Sequence, residues 1–191
     1  VFLVAMVTVQ FVWMGGAESE EGGAVVVDVD GQPLRAGVQY YVLPLRRGSG
    51  GGLTLKARYE DCAKVVAQER GELERGLPVV FEPASGKKGV MIREGVEQII
   101  EMPAANACVA SRRWGVVKDA ITPVKGFVAA VGGSATFRIE KKGDFYALNY
   151  CPTVCETCRP TCGELGIYID GKSNRWLTVG GPIFNVLFKK A

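Results

Sequence analysis

The segment Val26-Val27-Asp28-Val29-Asp30-Gly31-Gln32-Pro33-Leu34, resuming at Tyr40-Tyr41-Val42-Leu43-Pro44, commits the chain to β structure near its start. An apolar run is broken by Asp-Gly-Gln-Pro turn chemistry and returns as an aromatic and β-branched run, which reads as strand, turn, strand. Gly48-Ser49-Gly50-Gly51-Gly52 reads as a flexible loop entering a strand at Leu53-Thr54-Leu55. Short apolar runs then recur at 64–68, 77–81, 90–93, 96–101, 114–117, 127–131, 137–140, 145–148, 167–169, 176–179 and 186–188, about a dozen strands in all. Helical periodicity sustained over ten residues is missing, and 68–75 reads as a short polar loop. The class is all-β.

At 191 residues the chain has the length of one domain, able to bury roughly two-thirds of its unfolded surface. The 25 glycines stand in clusters between apolar runs, as tight turns require. A formal net charge of +3 with scattered Lys and Arg excludes a nucleic-acid surface; Arg46-Arg47, Lys141-Lys142 and Lys189-Lys190 read as solvated turns and a tail. Residues 1–14 are apolar and uncharged, too short for a bilayer span of ~20 residues. Small residues follow at Gly15 and Ala17, so 1–17 reads as part of a secretory signal, with Ala24 as a later cleavage point and 25–191 as the domain. No membrane partner is expected once that signal is removed.

Six cysteines behind such a segment read as three disulfides in an oxidising compartment, with fifteen pairings open. In Cys151-Pro-Thr-Val-Cys155-Glu-Thr-Cys158-Arg-Pro-Thr-Cys162, Pro152 and Pro160 favour a tight reversal. Such a reversal would set Cys151 opposite Cys162 and Cys155 opposite Cys158. A four-thiolate zinc site is the competing reading of Cys155-x-x-Cys158, and it lacks the second spaced pair that zinc sites carry. The chain has no histidine, hence no Ser-His or Cys-His nucleophile and no imidazole metal ligand. Neither an enzyme, a metal nor a cofactor is expected.

The order aliphatic residue, Asp28, Asp30-Gly31, Leu34, Tyr40 resembles the N-terminal signature of the plant Kunitz (soybean trypsin inhibitor) family. Further matches are Cys62-x-x-Val65-Val66-x-Gln68, Gly76-Leu77-Pro78-Val79-Val80-Phe81, Phe137-Arg138-Ile139-Glu140-Lys141, Tyr150-Cys151-Pro152 and Leu165-Gly166-Ile167. They extend over essentially the whole chain after residue 25, and the cysteine cluster is similar to that of miraculin-like members. The resemblance implies a β-trefoil of about twelve strands, a barrel with a hairpin cap. It also implies the nested cysteine pairing together with a wide Cys62–Cys108 bridge, whose closed loop would contribute on the order of 4 kcal/mol.

The resemblance implies a function as well: a secreted or vacuolar, monomeric inhibitor of trypsin-like serine proteases, acting through a substrate-like loop at 82–90. Anchored on Ile92-Arg93-Glu94-Gly95, the register makes Lys88-Gly89 the reactive bond, with Lys87 and Arg93 as alternative contacts. Inhibitory relatives support this loop with an Asn between Leu34 and Tyr40; Ala36 stands there in this chain. The loop is also about two residues longer and carries Gly86 and Gly89, which add conformational entropy. The alternatives are a miraculin-like storage or defence protein with weak or no inhibition, and an inhibitor of another target such as α-amylase or subtilisin.

Overall fold

A computed structural model describes residues 22–58, 62, 64–103, 109, 111–119, 122, 124, 126–151 and 162–191. Within them lie twelve strands and no helix: β1 Gln39–Pro44, β2 Leu53–Lys56, β3 Val65–Gln68, β4 Val79–Pro83, β5 Glu97–Glu101, β6 Trp114–Val117, β7 Gly126–Ala130, β8 Phe137–Lys142, β9 Phe145–Tyr150, β10 Gly163–Ile169, β11 Arg175–Val179 and β12 Val186–Lys190. The expectation of about a dozen short strands holds.

Six of them close a barrel. β1 pairs β4, β4 pairs β5, β5 pairs β8, β8 pairs β9, and β12 pairs both β9 and β1, all antiparallel. The other six form three hairpins, β2–β3, β6–β7 and β10–β11. Their second strands meet in a triangle through Val65↔Ala129, Ala67↔Trp176 and Thr178↔Phe127. Four strands, two for the barrel and two for the cap, thus recur three times along the chain, which is the β-trefoil. The threefold repeat lies in the pairing scheme and leaves no visible self-similarity in the sequence.

Burial follows the period of two that a pleated strand imposes. In β4, Val79, Phe81 and Pro83 are buried while Val80 and Glu82 are half-buried. β5 and β8 alternate likewise about Gln98 and Ile100 and about Phe137 and Ile139. Phe81 meets Phe188 edge-on at 5.4 Å, and Trp114 meets Phe137 at 5.8 Å, geometries that the ring quadrupoles favour. Cap strands β3 and β7 are buried at every position, so neither has a solvent-facing side, and the polar Gln68 of β3 is bonded to Gly51 O and Arg175. A second cluster of Val65, Ala67, Phe127, Ala129 and Trp176 fills the cap.

Four local expectations need correction. Residues 26–29 are not a continuous strand in a hairpin with β1. Among them only Val27 forms a bridge, with Pro33, next to the single bridge Val25↔Arg93, because the Asp28 carboxylate accepts the N–H groups of Asp30 and Gln32 and turns the chain at once. Residues 90–93 likewise form only bridges, at Met91 and Arg93. Lys141-Lys142 and Lys189-Lys190 are no turn or tail; they end β8 and β12, where Lys142 pairs with Glu140 and Glu164 and Lys189 stands opposite Tyr41. The glycine tract serves close approach rather than flexibility: Gly50, Gly51 and Gly52 are buried, and a Cβ on Gly52 would lie 2.0 Å from the Arg75 carbonyl oxygen.

Candidate functional site

β4 and β5 run antiparallel from Val80↔Glu101 to Pro83↔Gln98, and one further bond, Ala84 N–H to Glu97 O at 2.8 Å, continues the ladder. Beyond it the chain leaves the barrel. Gly86 N–H donates to Pro83 O at 2.9 Å, closing a tight turn, and all of 84–89 is exposed. Gly86 and Gly89 sit at φ 75° and 67°, and an added Cβ on either would meet no atom within 4 Å. The tip stands clear of the protein.

Its return limb is fastened residue by residue to the N-terminal segment. Val90 O accepts the Ala36 N–H at 2.9 Å, Ile92 N–H donates to Leu34 O at 2.8 Å, and Ile92 O accepts the Val26 N–H at 2.9 Å. Glu94 exchanges bonds with Gly23 and Ala24, Gly95 N–H donates to Ile139 O, and the Ile92 side chain is fully buried. The next N–H after Ala36, that of Gly37, donates to Phe81 O on the outgoing strand at 3.2 Å. Consecutive N–H groups at 36 and 37 therefore hold the return and outgoing limbs of one loop. Two limbs tied to one rigid point leave only the tip to be ordered on binding.

Lys87 and Lys88 both lie in the exposed tip, and none of the ion pairs among the described residues involves either. Gly89 follows directly. Arg93 is apart from them, half-buried on the fastened limb, with Nη1 donating to Gly23 O at 3.3 Å. The Ala36 side chain is buried in the barrel core at 7% exposure, and support for the loop comes instead from its backbone. Sequence reasoning missed this because a main-chain donor leaves no mark on residue type. The signature residues were the available clue. Tyr40 Oη accepts the Arg35 N–H at 3.0 Å, Tyr146 Oη accepts the Val27 N–H at 3.0 Å, and Asp28 closes the turn between. Asp28, Leu34 and Tyr40 thus shape the surface on which the loop rests.

Cys151 and Cys162 form a disulfide, one of the pairs the resemblance implies, and Cys62 is disulfide-bonded. Cys108, Cys155 and Cys158, together with the 1–17 segment, lie outside the described residues. Among the described residues no group of His, Cys, Asp and Glu could hold a metal ion, and no helix is long and apolar enough to cross a membrane.

Comparison with known proteins agrees with this architecture. The model of the legume Kunitz family, described as trypsin and protease inhibitor, matches residues 26–190. Miraculin of Synsepalum dulcificum is 35% identical over 183 residues, covering 86% of this chain and 82% of that protein. An α-amylase/subtilisin inhibitor of rice is 37% identical over 176 residues, covering 87% and 84%. Among solved structures, the soybean trypsin inhibitor in complex with porcine pancreatic trypsin superposes with a TM-score of 0.72 at 27% identity, covering 87% of this chain and 99% of that one. A trefoil with one elaborated barrel loop, a family match across the whole described fold and relatives above 30% identity converge: the chain belongs to the Kunitz family of plant trypsin and protease inhibitors.

Proposed function

We propose that the chain inhibits a trypsin-like serine protease by presenting residues 84–89 as a substrate, with Lys88 as the primary specificity residue and Lys88-Gly89 as the reactive bond. The family is one of inhibitors, not enzymes. The observation that carries the reading is the exposed, cationic tip between limbs held by the adjacent N–H groups of Ala36 and Gly37. Lys88 enters a pocket floored by a carboxylate, where a desolvated ion pair supplies discrimination. If the bond is cut, Ala84 and Val90 remain tied to the barrel, so the new amine stays beside the acyl group and resynthesis competes with hydrolysis. An interface of this kind buries about 1,600 Å² in total. The proposed molecule is a single chain made in the secretory pathway, with 25–191 as its domain; its disulfides support an oxidising compartment.

One observation favours the weak-inhibitor alternative. A protease cleft takes an extended strand, with φ near −120°, and Gly89 rests at 67°. Glycine makes that rotation without a steric barrier, at an entropic cost. Titration of trypsin with the protein decides: stoichiometric inhibition, weakened at least about 100-fold in Lys88→Ala, is expected. Inhibition that survives Lys88→Ala removes that residue from the role, and rapid cleavage without inhibition establishes the storage or defence reading.

A further inference from the structure

Resting on the inhibitory reading above, we infer that the loop is built for a serine protease with two acidic subsites, one that cleaves after paired basic residues, and that Lys87 is the second specificity residue. The tip offers little else to recognise. Gly86 and Gly89 flank the pair and carry no side chains, so Lys87 and Lys88 are the only large groups between the turn at Pro83 and the fastened limb at Val90.

Neither ammonium has an ion-pair partner among the described residues. Both are exposed, and a Cβ added at Gly86 or Gly89 on either side of them would meet no atom within 4 Å, so an enzyme can close on the pair. Two like charges on adjacent residues repel, and a single counter-charge relieves only one of them. On an extended strand, neighbouring side chains leave opposite faces. Lys87 therefore cannot share the pocket that takes Lys88, and only a separate acidic subsite gives its ammonium an ion-pair partner in the complex. A protease with one acidic pocket leaves Lys87 in water, where it contributes little.

The test compares trypsin, which needs one cation, with kexin, a dibasic-specific subtilisin-type protease, against wild type, K87A and K88A. The readout is the inhibition constant, or kcat/KM if the chain is slowly cut. Wild type is expected to inhibit both enzymes. K87A should weaken kexin inhibition at least about 100-fold, the size of a desolvated charge pair, and weaken trypsin inhibition at least about tenfold less than it weakens kexin inhibition; K88A should weaken both. Wild type that inhibits trypsin but not kexin, or K87A that inhibits kexin as well as wild type does, overturns the paired-cation inference and leaves the trypsin reading standing. Loss of trypsin inhibition in K87A moves the primary residue to Lys87 and also overturns it. Wild type that inhibits neither enzyme removes both readings together. Circular dichroism of each variant, with a melting temperature within about 2 °C of wild type, confirms that exposed side chains alone were changed.

Discussion

The β4–β5 and β8–β9 connections occupy equivalent places around the barrel, yet one spans residues 84–96 and the other is Gly143-Asp144 alone. In the short one, Lys142 pairs directly with Phe145, and Gly143 at φ 73° supplies the first central position of a tight hairpin turn. Two residues therefore suffice to close the barrel at this level. Everything beyond two in the β4–β5 loop serves something other than closure. That surplus is divided: 90–94 is fastened to 23–36 and Gly95 to Ile139, while after Ala84, which still bonds Glu97, the only backbone bond in the tip is the Gly86 N–H to Pro83 O that closes its own turn. A fold that ties the approach to a loop to its barrel and leaves 85–89 tied to no other part of the fold has separated positioning from presentation.

Removing two residues from each loop should separate the two roles most sharply. Deletion of Lys87 and Lys88 takes residues only from the free tip, so the melting temperature should stay within about 3 °C while trypsin inhibition falls by at least about 1,000-fold. Deletion of Gly143 and Asp144 leaves β8 and β9 no turn and breaks the six registered pairs between them, and a folded protein should not be recovered. A β8–β9 deletion that still melts cooperatively near the wild-type temperature would mean that the barrel does not depend on this turn.

How legible each loop was depends on what writes it. Gly143 and the Asp28 to Gln32 turn are written in residue types, because a left-handed φ asks for glycine and an Asx turn asks for aspartate. Eleven of the twelve strands began within two residues of an apolar run, since alternation is the direct image of a half-buried pleat. β10 was the exception: it starts at Gly163, four residues before the expected Ile167, because Gly163 and Glu164 pair with Tyr150 and Asn149 without being apolar. The brace at 36 and 37 was illegible because any non-proline residue has an N–H. Ala36 also pointed elsewhere, since its small apolar side chain suits the barrel core it occupies. The threefold cap was equally silent: Val65, Ala67, Phe127, Ala129 and Trp176 meet by backbone geometry and share no residue pattern.

The β10–β11 loop is the locked counterpart of the free tip and gives a mid-sized effect. The Asp170 carboxylate accepts the N–H groups of Lys172 and Asn174, the Asn174 side-chain amide and, at 2.9 Å, the Trp176 indole N–H. Burial opposes ionisation there, and these bonds outweigh it, holding the carboxyl at about 2. Asp170→Ala leaves the buried Trp176 indole N–H without that acceptor and should cost about 2 to 3 kcal/mol, roughly 4–10 °C in melting temperature. Because the folded value lies below the unfolded one, the stabilisation is present above about pH 4 and is lost as pH falls toward 2. The melting-temperature gap between wild type and Asp170→Asn should therefore narrow from pH 5 to pH 2. A gap constant over that range would mean that the loop is held by shape rather than by the charge.

The smallest effect is also the most discriminating, because one substitution is made at glycines of nearly equal φ. At Gly143, alanine must keep φ near 73°, since Lys142 and Phe145 are locked opposite each other. The strain is about 1–2 kcal/mol, or roughly 4 °C. At Gly89, with φ 67° and open space around it, no partner enforces the conformation. Alanine there relaxes toward the extended form at little cost in stability. The same relaxation shifts the unbound loop toward the shape a protease cleft takes, by about 1 kcal/mol, so Gly89→Ala should bind trypsin about fivefold more tightly than wild type. Equal destabilisation by the two alanines would show that the tip is held as firmly as the hairpin. Weaker binding by a fully stable Gly89→Ala would show that the left-handed conformation at 89 is the one the protease selects.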